Sequence, residues 1–192
     1  MHFSELLEEI NNDIDRWENM NVVKAYILIP EFRLVWRYRW LQFYRTHKCL
    51  KVINAVERIL YHKACIRCGC DIPSHVAIGS GFKILHGFGI VINSKTVIGD
   101  NCTIVAGTVI GANHTGQPTI GNNVNIGANC TIIGGICIGN NVEIGAGSVV
   151  THSVPDNAVI YGEVSHVRKI KEVWGDKNAK RESDDSSIKS KN

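Results

Sequence analysis

The sequence lacks three features typical of exported, membrane-spanning or nucleic-acid-binding proteins. No run of about 18 apolar residues occurs in its 192 residues, so it predicts no membrane-spanning helix. The N-terminal stretch is acidic, and charged residues interrupt its apolar ones. It therefore lacks the basic start and apolar core of a secretory signal, so we expect a cytoplasmic protein. The formal net charge is only +3 and no run of Lys and Arg crosses the body of the chain, so we expect no nucleic-acid partner.

Cysteine occurs seven times, and an odd number without a secretory signal favours free thiols over a disulfide framework. Three of these residues, Cys65, Cys68 and Cys70, form the cluster CIRCGC, to which His62 or His75 could add a fourth metal ligand. A structural zinc site usually needs two ligand pairs separated by a loop. Because the sequence has a single cluster, we expect no metal.

The dominant feature is an aliphatic residue that recurs every six positions and is often followed by Gly. The positions are Ile98, Ile104, Ile110, Ile120, Ile126, Ile132, Ile138, Ile144 and Val150. A period of six fits neither a helix nor simple alternation, and it is typical of a parallel β-helix in which three hexapeptides close one triangular coil. A β-sandwich, the alternative, would need alternating apolar residues and variable turns. The sequence therefore predicts a mainly β fold with the aliphatic side chains inside the coil.

Two interruptions of the repeat predict insertions in the coil. The interval from Ile84 to Ile92 is eight residues instead of six, and the interval from Ile110 to Ile120 is ten. The second insertion, residues 111–119 (GANHTGQPT), must leave the coil as a loop. A loop on a rigid scaffold commonly lines a binding site, and the alternative is a tolerated surface insertion.

The β-helix is predicted over residues 70–158, with segments of different character on either side. Residues 1–69 are predicted as an N-terminal helical segment interrupted at Pro30, residues 159–174 as a C-terminal extension, and the polar residues 175–192 as a disordered tail. The helical segment interleaves arginines with aromatic residues in FRLVWRYRWLQFYRTHK. Such a helix usually packs its aromatics onto its own domain, and contact with a membrane surface is the alternative.

Several motifs resemble those of known families. The hexapeptide repeats, together with DIPSHVAIGSGFKILHGFGIVI and IGAGSVVTHSVPDNAV, are similar to the hexapeptide-repeat acyltransferases of the serine acetyltransferase branch. Within that branch, HGFGIVINSKTVIGDNCTI and SVPDNAVIYGEVSHVRKIK look most like the small O-acetyltransferases of capsule and exopolysaccharide biosynthesis. The resemblance covers residues 70–171. It implies a left-handed parallel β-helix, acetyl-CoA as acyl donor, and a homotrimer with active sites at the subunit interfaces.

The resemblance also implies that His86 is the general base and that Asp71, fifteen residues before it, supports it. The repeat is consistent with this role for the histidine. His86 follows the inward Ile84 by two residues, so its ring should project outward from a corner of the coil. An exposed turn histidine without a catalytic role is the alternative.

For acetyl-CoA, the family pattern places small residues beside the pantetheine arm, and here these are Ala112, Ala128 and Ala146. Arg168 and Lys169 follow the last coil and are candidates to bind the phosphates of the nucleotide. The sequence departs from the family pattern just before this pair, where the usual proline and basic residue are replaced.

The charged residues with which serine acetyltransferases hold their amino acid have no counterpart here, and uncharged residues such as Ile29, Leu85 and Gln117 take their places. A pocket without counter-charges would desolvate a zwitterion at a high cost in free energy. We therefore expect an uncharged hydroxyl as acceptor, with a sugar as the leading choice. Asn113, His114 and Gln117 in the loop are candidates to bind it, and a solvated loop is the alternative for the histidine.

The sequence leaves two other functions open. One is serine O-acetylation, and the other is a non-catalytic β-helix scaffold subunit, which would not bind acetyl-CoA. A zinc hydratase on the same fold is disfavoured, because it would need three histidines from neighbouring coils, including a closely spaced pair. His75, His86 and His114 lack that spacing.

Overall fold

The computed structural model describes residues 1–18, 20–47 and 51–162. Its N-terminal part contains four helices, which are α1 (Phe3–Asp15), α2 (Val22–Leu28), α3 (Pro30–Thr46) and α4 (Lys51–Cys68). Pro30 is the first residue of α3, where a missing N–H is tolerated, so it begins a helix instead of interrupting one. None of the described helices is long and apolar enough to cross a membrane.

The β-helix is built from short strands of two or three residues. They are β1 (Ala77–Ile78), β2 (Lys83–Leu85), β3 (Val91–Ile92), β4 (Val97–Ile98), β5 (Thr103–Val105), β6 (Val109–Gly111), β7 (Thr119–Ile120), β8 (Asn125–Ile126), β9 (Thr131–Ile133), β10 (Cys137–Ile138), β11 (Glu143–Ile144), β12 (Val149–Val150) and β13 (Val159–Ile160). The predicted tail and all but the first four residues of the predicted C-terminal extension lie outside the described residues.

The strands form three parallel sheets with the orders β1-β4-β7-β10, β2-β5-β8-β11-β13 and β3-β6-β9-β12. The chain visits the three sheets in turn, so it winds as a solenoid of about four coils. The repeat aliphatics line its interior, and Ile104, Ile110 and Ile132 are fully buried. The structure confirms the predicted mainly β fold, a parallel β-helix preceded by helices.

The corners between the first and second sheets are held by a ladder of polar side chains. The Asp100 N–H donates to Asn122 Oδ1 at 2.8 Å, and the Asn122 N–H donates to Asn140 Oδ1 at 2.8 Å. The residues that follow, Asn123 and Asn141, both have φ of 56°. Asparagine tolerates this left-handed conformation better than most residues, which explains its recurrence in the repeat.

The pairing register locates the two insertions. A regular coil consists of three hexapeptides, as in the pairing of Thr131 with Val149. The chain from Lys83 to its partner Thr103 is two positions longer than a regular coil, and the chain from Thr103 to its partner Asn125 is four positions longer. Because the paired strands keep their aliphatic residues inside, the extra residues must lie at the corners, as the interrupted repeat predicts.

Arg39 of α3 connects the helices to the first coil. Its Nε and Nη2 donate to the carboxylate of Asp13 in α1 at 2.8 and 3.0 Å, and it also donates to the carbonyls of Ile78 and Gly79. The same carboxylate accepts from the Phe82 N–H at 2.9 Å. Both charged side chains are 1% exposed, so this fully hydrogen-bonded pair fixes two helices on the base of the β-helix.

Replacing Arg39 with Ala should lower the free energy of unfolding by about 3–5 kcal/mol, because the Asp13 carboxylate would stay buried without its partner. The exposed Arg58 of α4 offers a control, and Arg58→Ala should change that free energy by no more than about 0.5 kcal/mol. Urea titrations at one protein concentration provide the measurement. Equal losses for the two variants would contradict the role assigned to the buried pair.

Candidate active site

The extra residues of the first coil form a bulge at the corner between β2 and β3. The Ala106 N–H donates to the Leu85 carbonyl at 3.1 Å, and the Gly107 N–H donates to the Phe88 carbonyl at 2.8 Å. The two residues between Leu85 and Phe88 are skipped by the backbone hydrogen bonds that join this coil to the next. One of them is His86, which is exposed and has φ of 52°. Its corner position agrees with the sequence analysis.

The other bulge residue is held by a carboxylate from the helical segment. Glu31, in the first turn of α3, accepts a hydrogen bond from the Gly87 N–H at 3.0 Å. This bond satisfies a backbone donor that would otherwise lack a partner. Glu31 is not predicted from the sequence, where Ile29 takes the place of the charged residue that precedes the proline in serine acetyltransferases. Glu31 and Gly87 are 56 residues apart, and the acid after Pro30 is the only local signal.

Asp71 lies beside the bulge on the exposed side of the first coil. Its N–H donates to the Ile90 carbonyl at 2.8 Å, and its carbonyl accepts from the Ile92 N–H at 2.9 Å. The preceding Cys70 places its Sγ 3.4 Å from the carbonyl of Gly87 in the bulge. The Asp71 and His86 side chains, both within the described residues, form no hydrogen bond with each other. The predicted pairing of these side chains stays a prediction.

A column of alanines continues upward from the bulge. The Asn129 N–H donates to the Ala106 carbonyl and the Gly147 N–H to the Ala128 carbonyl, both at 2.8 Å, so these turns stack at one corner. Ala146, which precedes Gly147, belongs to the same column. Two of the predicted cofactor residues, Ala128 and Ala146, therefore share a corner with His86, and Ala106 is an additional member that the sequence analysis misses.

The second insertion forms the predicted loop between β6 and β7. Asn113 Oδ1 accepts from the backbone N–H and the hydroxyl of Thr115 at 2.8 and 2.6 Å, and the Thr115 hydroxyl accepts from the Gly135 N–H at 2.8 Å. The Asn113 side chain therefore shapes the loop. His114 and Gln117 are exposed, as is Ala112 at the loop entrance.

Within one chain, the bulge and the loop are at different corners. The bulge joins the sheet that contains β2 to the sheet that contains β3. The loop joins the sheet of β6, which is also the sheet of β3, to the sheet of β7. The sheet that contains β3 and β6 therefore lies between the corner of His86 and the corner that carries His114, Gln117 and Ala112. The predicted base and the predicted acceptor-binding residues do not meet in a single chain.

Five of the cysteines have environments unsuited to reactive thiolates. Burial raises the pKa of Cys68 to about 11 and also raises the pKa of Cys65, Cys70, Cys102 and Cys130. These thiols stay protonated near neutral pH, so none is suited to act as a nucleophile.

Two further sequence hypotheses concern metal and phosphate binding. In the part of the chain that the structure describes, no three His, Cys, Asp or Glu side chains are grouped as metal ligands would be. The predicted phosphate-binding residues Arg168 and Lys169 lie outside that part.

Two family descriptions match the β-helix. Residues 117–152 match "Bacterial transferase hexapeptide (six repeats)" and residues 96–112 match "Hexapeptide repeat of succinyl-transferase". Among solved structures, the chain resembles serine acetyltransferase isoform 3 of Entamoeba histolytica in complex with cysteine, with a TM-score of 0.73 and 26% sequence identity. That match covers 93% of this chain and 66% of the other.

Relatives of similar sequence include acetyltransferases of two kinds. The chain is 41% identical to WcaB of Escherichia coli strain K12, a protein assigned to colanic acid biosynthesis as an acetyltransferase, over 72% of this chain and 90% of WcaB. It is 39% identical to the serine acetyltransferase of Synechococcus elongatus over 57% of this chain, but it spans only about half of that enzyme's length, 47%. The identity and coverage with the first relative, together with the coiled fold, show that the chain belongs to the hexapeptide-repeat acetyltransferases.

Proposed function

We propose that the protein transfers the acetyl group of acetyl-CoA to a sugar hydroxyl in surface-polysaccharide biosynthesis, with His86 as general base. The observation that carries the proposal is the two-residue bulge, which holds an exposed histidine at the base of the alanine column. The similarity to WcaB over 90% of its length supports the acceptor class. The place of action is then the cytoplasm, where acetyl-CoA is made.

His86 accepts the proton of the acceptor hydroxyl while the hydroxyl oxygen attacks the thioester carbonyl. A C–O bond forms, the C–S bond breaks, and the imidazolium returns the proton to the departing thiolate of coenzyme A. An imidazole suits this role because it can accept a proton and return it within one reaction cycle. The Asp71 carboxylate would orient the ring and stabilise its charged form, and no covalent acyl-enzyme is required.

The alanine column supports a site for the pantetheine arm of acetyl-CoA. Small side chains at Ala106, Ala128 and Ala146 leave room for a ligand to approach the backbone of the stacked turns closely. A side chain added at Gly147, beside Ala146, would meet no atom within 4 Å. The column begins one coil above the bulge, where Ala106 bonds to Leu85, so a thioester at its lower end would lie near the base.

A second copy of the chain would complete the site. His86 and the loop are at different corners, so His114 and Gln117 can face an acceptor at His86 only if they come from a neighbouring subunit. Stacked around a three-fold axis, three copies would place the loop of each beside the bulge of the next, giving three equivalent sites. The observation that supports the expected homotrimer is that the bulge and the loop lie at different corners of one chain.

Glu31 acts in this proposal as a positioning residue for His86. A φ of 52° is unfavourable for a non-glycine residue and costs on the order of 1–3 kcal/mol. The hydrogen bond from the Gly87 N–H to Glu31 holds the next peptide in place and so stabilises this conformation. The helical segment therefore sets the direction in which the base points.

Serine O-acetylation is the second candidate, and one observation favours it. The Glu31 carboxylate beside the bulge is a charged group of the kind that could bind the ammonium of an amino acid. The structural resemblance to serine acetyltransferases points the same way. A scaffold without catalysis would instead show no acetyl-CoA binding.

His86→Ala should reduce thiol release from acetyl-CoA by about 10²–10⁴-fold while acetyl-CoA binding is retained, because only proton transfer is lost. The exposed His152 provides a control, and His152→Ala should keep full activity. The assay offers serine in one set and a panel of sugars and glycosyl diphosphates in another. Serine-dependent release would replace the sugar acceptor with the second candidate, and absent acetyl-CoA binding would favour the scaffold.

Glu31→Ala should lower kcat by up to about 100-fold with little change in the KM for acetyl-CoA, because a misplaced base slows the chemical step. Glu31→Gln keeps an oxygen that can accept from the Gly87 N–H, so it should retain kcat within a few-fold. Steady-state kinetics of both variants, with the exposed Glu8→Ala as control, test this. If the Gln variant is as slow as the Ala variant, the charge of Glu31 is needed and the positioning role is wrong.

A further inference from the structure

A groove of about 460 Å³ lies between α2, α3 and α4, outside the bulge and the alanine column. Four cationic side chains line it, from Arg33, Arg37, Lys63 and Arg67. Concave sites of a few hundred Å³ commonly hold small molecules. Positive charge concentrated in such a surface attracts anions, so the groove is suited to a small anionic ligand.

Two of the four cations are held by contacts within the protein. Arg37 donates to the Glu57 carboxylate at 2.9 Å, which neutralises its charge. Arg33 donates from Nε and Nη2 to the carbonyls of Tyr26 and Ile27, each at 2.9 Å. These carbonyls fix the guanidinium at the end of α2 but do not cancel its charge, and the guanidinium has further N–H donors.

The other two cations lie one turn apart on α4. Lys63 and Arg67 are both exposed, and no carboxylate in the described ranges lies within salt-bridge distance of either. Like charges at this spacing on a helix repel each other. An anion bound between them would relieve the repulsion, and together with Arg33 they provide three positive charges that no bound carboxylate neutralises.

The groove adjoins the bulge that carries His86. Pro30 lines the groove, and the next residue, Glu31, binds the Gly87 N–H in the bulge. Cys68 also lines the groove, and the residue after it packs against the aromatic ring two positions beyond His86. A ligand that fills the groove would therefore reach the neighbourhood of the base.

We propose that this groove binds the phosphates of the acceptor, so that the acceptor is a sugar carried on a diphosphate instead of a free sugar or a finished polysaccharide. The inference rests on the proposed function and names its substrate class. Arginine forks bind phosphate oxygens in pairs, and a lysine adds a mobile point charge. Binding at this remote group would hold the sugar hydroxyl against His86 and so favour the transition state.

Calorimetric titration with inorganic pyrophosphate tests the groove without requiring catalysis. The variant Lys63→Gln/Arg67→Gln should bind pyrophosphate at least about tenfold more weakly than the unmodified chain. Lys51→Gln is the matched control, because Lys51 is exposed on the same helix outside the groove, and it should bind as tightly as the unmodified chain. Since all three side chains are exposed, circular dichroism should show an unchanged fold.

The proposal is overturned if the unmodified chain does not bind pyrophosphate, or if all variants bind it equally. Displacement of pyrophosphate by acetyl-CoA also overturns it, because the groove would then serve the donor's phosphates. The proposed acetyl transfer fails separately, if acetyl-CoA itself does not bind. If the chain binds acetyl-CoA but not pyrophosphate, the groove does not bind the acceptor, and the proposed acetyl transfer is unaffected.

The same titration distinguishes two carriers of the sugar, each of which contains a diphosphate. UDP represents a nucleotide sugar, and a polyprenyl diphosphate in detergent micelles represents a lipid-linked sugar. We expect both to lose affinity in the double variant, and the tighter ligand identifies the carrier. If both bind the double variant as tightly as the unmodified chain, the diphosphate is not recognised in this groove.

Discussion

The stacking of one coil on another is the constraint from which the site follows. Each strand must pair with the strand one coil away, with its aliphatic residues inside, so a coil can gain residues only at its corners. The first coil has two extra residues and the second has four, as shown by the pairings of Lys83 with Thr103 and of Thr103 with Asn125. The first insertion becomes the bulge that carries His86, and the second becomes the loop that carries His114. A regular scaffold thus presents irregular segments at fixed heights and corners.

The helical segment adds a carboxylate and a cationic groove beside the bulge that the first coil forms. The buried pair of Arg39 with Asp13 fixes α1 and α3 on the base of the β-helix. That docking brings Glu31 to the bulge, where it holds a strained turn, and it places the cationic groove beside the same turn. In our proposal, the helical segment therefore both orients the base and binds its acceptor.

The repeat predicts the fold well because inward positions must be aliphatic, and this requirement is visible in the spacing of Ile104, Ile110 and Ile132. It also predicts both insertions, since counting residues between inward positions is enough. Glu31 and the groove are not predictable in this way, because they depend on how helices dock across contacts that the sequence does not encode locally. The contact of Asn113 with Thr115 is not predictable for a similar reason, because it depends on the path of the loop.

The central claim is that each active site combines the bulge of one copy with the loop of another, and mixing two inactive variants tests it most directly. One variant is His86→Ala, and the other lacks residues 113–116, which returns the second coil to three hexapeptides. Refolded together as mixed trimers, they should regain acetyl transfer at about a quarter of the sites, where an intact bulge meets an intact loop across a closed three-fold interface. Mixed trimers that form and remain as inactive as either variant alone would contradict the account.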